Sequence, residues 1–260
     1  MPKSWLERTT PCSAPQQLYY HAPLVQTSEK DTALLLRYCN IVYTFIHDHH
    51  SHEESHYFAN IEKATGMPGL MSSSVEQHRE LEAGLKALRD YANGTTPGAF
   101  DAAELRGIID DLAPALTTHL FEEVPAILDL HDNISSGELK RIYGLMQKEA
   151  ERTSSMTTAG PLVFGNQDRT FLLDGEPFQF PPLPRVVAYV IDWVLARPNR
   201  ELWRFNTSDF YGNQKVEEFR TKRDGGGLGA SWLLAVALLL IALYASLSEK
   251  SVRFLGAVHS

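Results

Sequence analysis

Cysteine is scarce in this chain: its 260 residues hold two, Cys12 and Cys39, and no CxxC pair. That count excludes a disulfide framework and a thiolate zinc knuckle, and both residues read as reduced thiols. Positive charge is short as well. Lys and Arg total 24 against 32 Asp and Glu, a formal net charge of −8 and a pI near 5.7, which argues against nucleic acid as a partner. The first eight residues, Met1 to Arg8, lack an apolar run, so no secretory signal is visible there. Neither a nucleophile triad nor a phosphate-cradling loop nor a cofactor fingerprint stands out, and no internal repeat is found. Nothing therefore names a substrate. The length suffices for one good core with at most a small appendage.

Histidine, by contrast, is concentrated. Five of the ten fall between Phe45 and Phe58, in Phe45-Ile46-His47-Asp48-His49-His50-Ser51-His52-Glu53-Glu54-Ser55-His56-Tyr57-Phe58. On a helix, His49 and Glu53 share a face, as do His50 and Glu54. Leu35, Tyr38, Val42, Phe45 and His49 step by three and four, the apolar stripe of a bundle helix. That stripe delivers His49 and Glu53 into the core and leaves His50 and Glu54 toward its flank. A buried Glu is costly unless paired or metal-bound, so the pattern points to a metal site.

The rest of the chain reads as helices around that one. Residues 1–27, broken by Pro2, Pro11, Pro15 and Pro23, are expected to be irregular, with a turn or two between Gln16 and Ala22. Ser28 with Asp31 caps a long helix running to about Ala64, before Gly66-Met67-Pro68-Gly69. A second runs from the Ser72-Ser73-Ser74 cluster to about Tyr91, with His78, Leu81, Leu85, Leu88 and Ala92 on its apolar side. A third, capped by Asp101, carries Leu105, Ile108, Leu112, Leu116, His119, Glu123, Ile127 and Leu130, with Pro114 and Pro125 expected to kink it. A fourth runs from Ser135 to about Arg152. Residues 28–155 thus form an all-α, antiparallel four-helix-type bundle, and three of its helices each place a histidine on the buried stripe. Bundle cores are where His and carboxylate metal sites are built from facing helices. Imidazole with carboxylate suits iron, manganese or zinc.

Residues 156–223 change character, with turns at Phe164 to Asp168, Asp174-Gly175 and Phe180-Pro181-Pro182, and a short helix from Leu183 to Ala196. They read as an irregular extension. Residues 226–248 read as a C-terminal transmembrane helix followed by a short tail, 249–260. No charge lies between Asp224 and Glu249, and 228–247 form about 20 mostly apolar residues, roughly 30 Å of helix that would cross a lipid bilayer. Trp232 and Tyr244 flank it at interfacial positions. The excess of Lys215, Arg220, Lys222 and Arg223 over Lys250 and Arg253 places the N-terminal part in the cytoplasm. The expectation is a single-pass, membrane-anchored protein.

His49-His50-Ser51-His52-Glu53-Glu54, Gln77-His78 and His119-Leu120-Phe121-Glu122-Glu123 together resemble the hemerythrin-like (HHE cation-binding) family. Phe178-Gln179-Phe180-Pro181-Pro182 and Trp203-Arg204-Phe205 resemble an extension seen in its fungal-type members. The resemblance covers roughly residues 16 to 212. It implies an antiparallel four-helix bundle around a non-haem di-iron centre that binds dioxygen or senses iron and oxygen. By the same resemblance His49 and Glu53 would be a terminal ligand and a bridging carboxylate, His78 a ligand from the second helix, and His119 and Glu123 a terminal and a bridging ligand from the third. The chain departs from the family in two places. The region from Arg8 to Pro15 lacks the usual upstream histidine, and Ser74 stands where a second histidine often precedes His78. His21, His50, His52 and Glu82 are the available replacements, none of them favoured by the pattern. His47, His52 and His56 read as solvated or outer residues. The function expected is a metal-ion and dioxygen binder or sensor rather than an enzyme. A metal-free structural or interaction module and a di-iron oxidase or peroxidase stand as alternatives.

Overall fold

The computed structural model describes residues 14–166, 172, 173, 176, 177, 185–213 and 215. Ser28 caps α2 (Glu29–His52), its side chain accepting from the Asp31 backbone N–H. The helix continues through a π-helical segment, Glu53–Phe58, into α3 (Ala59–Thr65) and ends past Gly66. After a short turn α4 (Ser72–Gly94) begins. Asp101, accepting from the Ala103 and Glu104 N–H groups, starts α5 (Ala102–Leu128), which runs through both of its prolines. Ser135 likewise starts α6 (Ser136–Thr153). Each cap satisfies N–H groups that the helix itself leaves without partners.

Ahead of these, α1 (Ala14–Val25) forms inside the segment expected to be irregular. Pro15 sits in the first turn, where no intrahelical N–H bond is lost. Leu18, Ala22 and Val25 bury one face completely. The four-helix ring is thus α1, α2, α4 and α5, each packed on two neighbours, with α6 outside it against α2, α3 and the π segment. Short links and end-to-start contacts make the order antiparallel. Tyr91, late in α4, donates its hydroxyl to the Asp101 carbonyl and accepts from the Asp101 N–H.

The core is continuous through the ring: Leu18, Leu35, Tyr38, Leu81, Leu85, Leu88, Leu105 and Ile109 are essentially inaccessible. Burial of each such leucine stabilises the fold by about 1.5–3 kcal/mol. A second apolar cluster, Tyr57, Phe58, Ile61, Met71, Leu130, Ile134, Ile142 and Met146, seats α6 on the π segment.

The extension joins the main core. It contributes α7 (Ala159–Gly165), a two-residue hairpin pairing β1 (Leu172–Leu173) with β2 (Glu176–Pro177), α8 (Arg185–Val190) with a π segment Ile191–Leu195, and a 3-10 stretch Arg197–Phe205. Trp203 and Phe205 are buried, and the Phe205 ring lies 5.6 Å from that of Tyr38. Tyr38 donates its hydroxyl to Asn206 Oδ1 at 2.9 Å and accepts from Asn166 Nδ2 at 3.0 Å. Asn206 Nδ2 in turn donates to the Pro161 carbonyl.

The expected single-pass membrane protein needs correction. Among the described residues no helix is long and apolar enough to cross a membrane. Even α5, the longest, carries Glu104, Arg106, Asp110, Asp111, Glu122 and Glu123 and presents a polar face, where a span needs about 20 consecutive apolar residues. The expected span at 226–248, with the lipid contact at 228–247 and the cytoplasmic orientation derived from it, lies outside the described residues.

Helix spacing yields a testable prediction. A Cβ on Gly84 would lie 2.9 Å from Leu112 Cδ1 and 3.3 Å from the Leu112 Cα, so glycine lets α4 and α5 approach closely. Gly84→Val should destabilise the fold by about 1–3 kcal/mol through overpacking, read as a lower melting temperature. Gly107→Ala, with open space around it, should leave the melt unchanged or raise it.

Candidate metal centre

The late part of α2, the early part of α4 and the late part of α5 meet inside the ring. His50, His78 and His119 come one from each helix and are 7, 4 and 1% exposed. A ring nitrogen of each lies within 4.8 Å of the others, and His49, Glu53 and Glu123 make a second triad with the same closeness. The two triads touch. Glu53 Oε1 is 3.2 Å from His49 Nε2, Glu53 Oε2 is 3.5 Å from His78 Nε2, and Glu123 Oε2 is 3.8 Å from His119 Nε2. The His50 ring stacks on His78, with centroids 4.0 Å apart.

Outer partners aim the rings. Glu54 accepts from His78 Nδ1 at 2.9 Å, and Gln77 Oε1 accepts from His119 Nδ1 at 3.2 Å. The Gln77 amide is itself oriented by donating to Glu122. Both acceptors require the proton on Nδ1, so each Nε2 presents its lone pair to the centre. There His78 Nε2, His119 Nε2 and Glu53 Oε2 are buried without a hydrogen-bond partner. An imidazole held by an acceptor on one nitrogen and bare on the other is how metal-ligating histidines are set up.

The electrostatics carry the same demand. Burial, then the facing Glu123 charge, pushes the Glu53 carboxyl up to about 10. Burial, then the neighbouring His78, holds His50 down to about 2, and burial holds His119 down to about 4. Positive charge is thus disfavoured on His50 and His119, although two carboxylates stand beside them. Divalent metal ions supply that charge without protonating the rings. His49 is pushed down chiefly by burial, yet its side chain is 44% exposed. Both follow from its place on a cleft wall, surrounded by protein but reached by solvent.

All five residues singled out in the sequence, His49, Glu53, His78, His119 and Glu123, converge here. The acidic pairs split as expected, with Glu53 and Glu123 inward and Glu54 and Glu122 outward, and Glu54 and Glu122 serve the outer bonds described above. His50 is the residue that the sequence pattern left on the flank. It lies in the α-helical part of α2, ahead of the π segment that begins at Glu53, and Cys39, Val42, Ile46 and His50, spaced by three and four, are all buried on one face. The signal was that stripe, which a line drawn through Phe45 to His49 passes over. Of the other replacements, His21 packs on Phe205, with ring centroids 5.2 Å apart, His52 bonds Thr153 on α6, and Glu82 is exposed. Ser74 is buried one turn before His78.

The model of the hemerythrin HHE cation-binding domain matches residues 17–124, the span that contains both triads. A curated fungal relative, the dimeric xanthone biosynthesis cluster protein R11 of Cryptosporiopsis sp. (strain 8999), is 33% identical over 202 residues, covering 78% of this chain and 76% of that protein. No solved structure matches the chain. With a bundle core of imidazoles and carboxylates in this arrangement, the chain belongs to the hemerythrin-like HHE cation-binding family.

Proposed function

We propose that the centre holds a pair of metal ions, with iron as the working metal, and that the protein binds dioxygen or reports on iron and oxygen. The observation that carries this reading is the set of buried atoms without hydrogen-bond partners, His78 Nε2, His119 Nε2 and Glu53 Oε2, turned into one space beside two carboxylates. His50, His78 and His119 would hold one ion, and His49 with Glu53 and Glu123 the other. Imidazole and carboxylate donors suit iron, manganese or zinc. An iron pair so held supplies reversible dioxygen binding or one- and two-electron oxidation. The protein's own part is to hold His50 and His119 uncharged, aim His78 and His119 through Glu54 and Gln77, and exclude water from the tri-imidazole side.

A second reading is favoured by what the fungal relative belongs to. A protein of a dimeric xanthone biosynthesis cluster supports a role for the same centre in biosynthetic chemistry on an aromatic compound instead of oxygen carriage. Peroxide or oxygen consumption by the iron-loaded chain separates the two.

Metal analysis tests the ligand assignment. His119→Ala and His50→Ala should each lose most of the bound iron, while His56→Ala keeps it; equal loss in all three would overturn the assignment. Glu54→Gln, which weakens the acceptor that orients His78, should lower metal affinity by about 10–100-fold.

The metal-free chain should also carry a pH signature. His50 and His119 titrate far below their ordinary 6.5. Between those values the unfolded chain binds protons that the folded chain refuses, so stability rises as pH increases toward 6.5. Glu53 acts oppositely. Its folded value, about 10, lies above its ordinary 4.5, so the folded chain keeps a proton the unfolded chain gives up, and stability falls as pH rises through that window. Thermal melts should peak near neutral pH without metal. Iron should remove the alkaline fall by replacing the proton on Glu53, and identical profiles with and without iron would count against Glu53 at the centre.

A further inference from the structure

The two triads are not equally enclosed. His50, His78 and His119 are buried, whereas the half-exposed His49 lines a cleft of about 440 Å³ between α2 on one side and α6 with the start of α7 on the other. That volume lies within the range of small-molecule sites. Ile41 and Phe45 on α2 and Met146 and Ala150 on α6 make its walls apolar. Asp48 and His52 add polar groups near His49, and His52 Nε2 bonds Thr153 Oγ1 at 2.8 Å across the gap. The α6 wall lies outside residues 17–124, the part matched by the family domain, so helices beyond that domain close the cleft over α2.

We infer that this cleft is a binding site for a small organic molecule with an apolar body and adjacent oxygen donors at one end, which lie against the metal site at His49. The occupant's chemistry follows from the two ends of the cleft. Apolar walls retain a hydrocarbon body by burying it. At one end His49 lines the cleft, and Glu53 and Glu123, gathered with it, complete a donor set that suits ions taking further oxygen ligands. The other ion would sit among three buried imidazoles. The α2 to α6 cleft therefore gives the ion at His49 a ligand from outside the protein. The inference rests on the metal reading above.

Catechol is a suitable probe, added to the purified full chain in metal-free and ferric forms. Iron content, catecholate-to-iron absorption and calorimetric binding are read on the same samples. Ferric protein should bind catechol with a new visible band, and metal-free protein should bind it more weakly. Ala150→Phe and, from the facing wall, Thr44→Trp narrow the cleft without touching a ligand residue. Each should keep its iron and its melting temperature while losing catechol affinity by about tenfold or more. Iron-loaded wild type and a folded variant binding catechol equally would overturn the cleft while leaving the metal reading intact. A chain that holds no iron overturns the metal reading; should it still take up catechol in a way that Ala150→Phe abolishes, the cleft stands by itself, and without uptake both fall.

Discussion

Two carboxylates and several imidazole nitrogens converge in a space from which water is largely excluded. Burying such groups uncompensated costs several kcal/mol. Protonation is one release, and it is what drives the Glu53 carboxyl so far above its ordinary range. A metal cation is the other, and the rings of His78 and His119, anchored outward through Nδ1, are shaped for it. Much of the local architecture follows from that demand. Antiparallel packing brings the end of α2 to the starts of α4 and the end of α5, and Glu54, Gln77 and Glu122 fix the rings once they arrive.

Two adjacent residues of α2 serve the two triads. A regular helix can turn only one of them fully toward a given axis: His50 stands inward in line with Val42 and Ile46, while the half-exposed His49 reaches its triad from the cleft wall. The π segment Glu53–Phe58 follows and buries Tyr57 and Phe58 together beneath α6. His50 stands with His78 and His119 in one triad. The other triad keeps a single imidazole and an open side. The result is an asymmetric centre, enclosed on its all-imidazole side and approachable on its carboxylate side.

The extension is bound into the bundle by more than apolar contact. Tyr38, Asn166 and Asn206 form a buried hydrogen-bond network that also donates to the Leu162 and Pro161 carbonyls and accepts from the Thr207 N–H. Such networks position an element more exactingly than grease does, since a slip strands a buried polar group. Gly165 makes room for Asn206, which would otherwise collide with a Cβ there. Holding α7 against the bundle also completes the far wall of the cleft beside His49.

Local rules made much of this legible. The caps at Ser28, Asp101 and Ser135, the breaks after Thr65 and Gly94, and the stripes carrying His78, His119 and Glu123 depend on neighbours three or four positions apart, so pattern alone revealed them. The helical character of Ala14–Val25 was obscured because prolines were weighed without their place in the turn. His50 was misjudged because the stripe was drawn through Phe45 to His49, whereas the buried face of α2 runs through Val42, Ile46 and His50. The apolar run at 226–248 read as a span from hydropathy, and among the described residues no helix has that character. By itself, the sequence determined which residue types could bind metal and on which helical faces most of them lie, because both are properties of short segments. Only the tertiary structure decided that six side chains from three helices meet, that Glu54 and Gln77 orient two of them, and that one side of the centre opens to a cleft, because each depends on how separate helices approach one another.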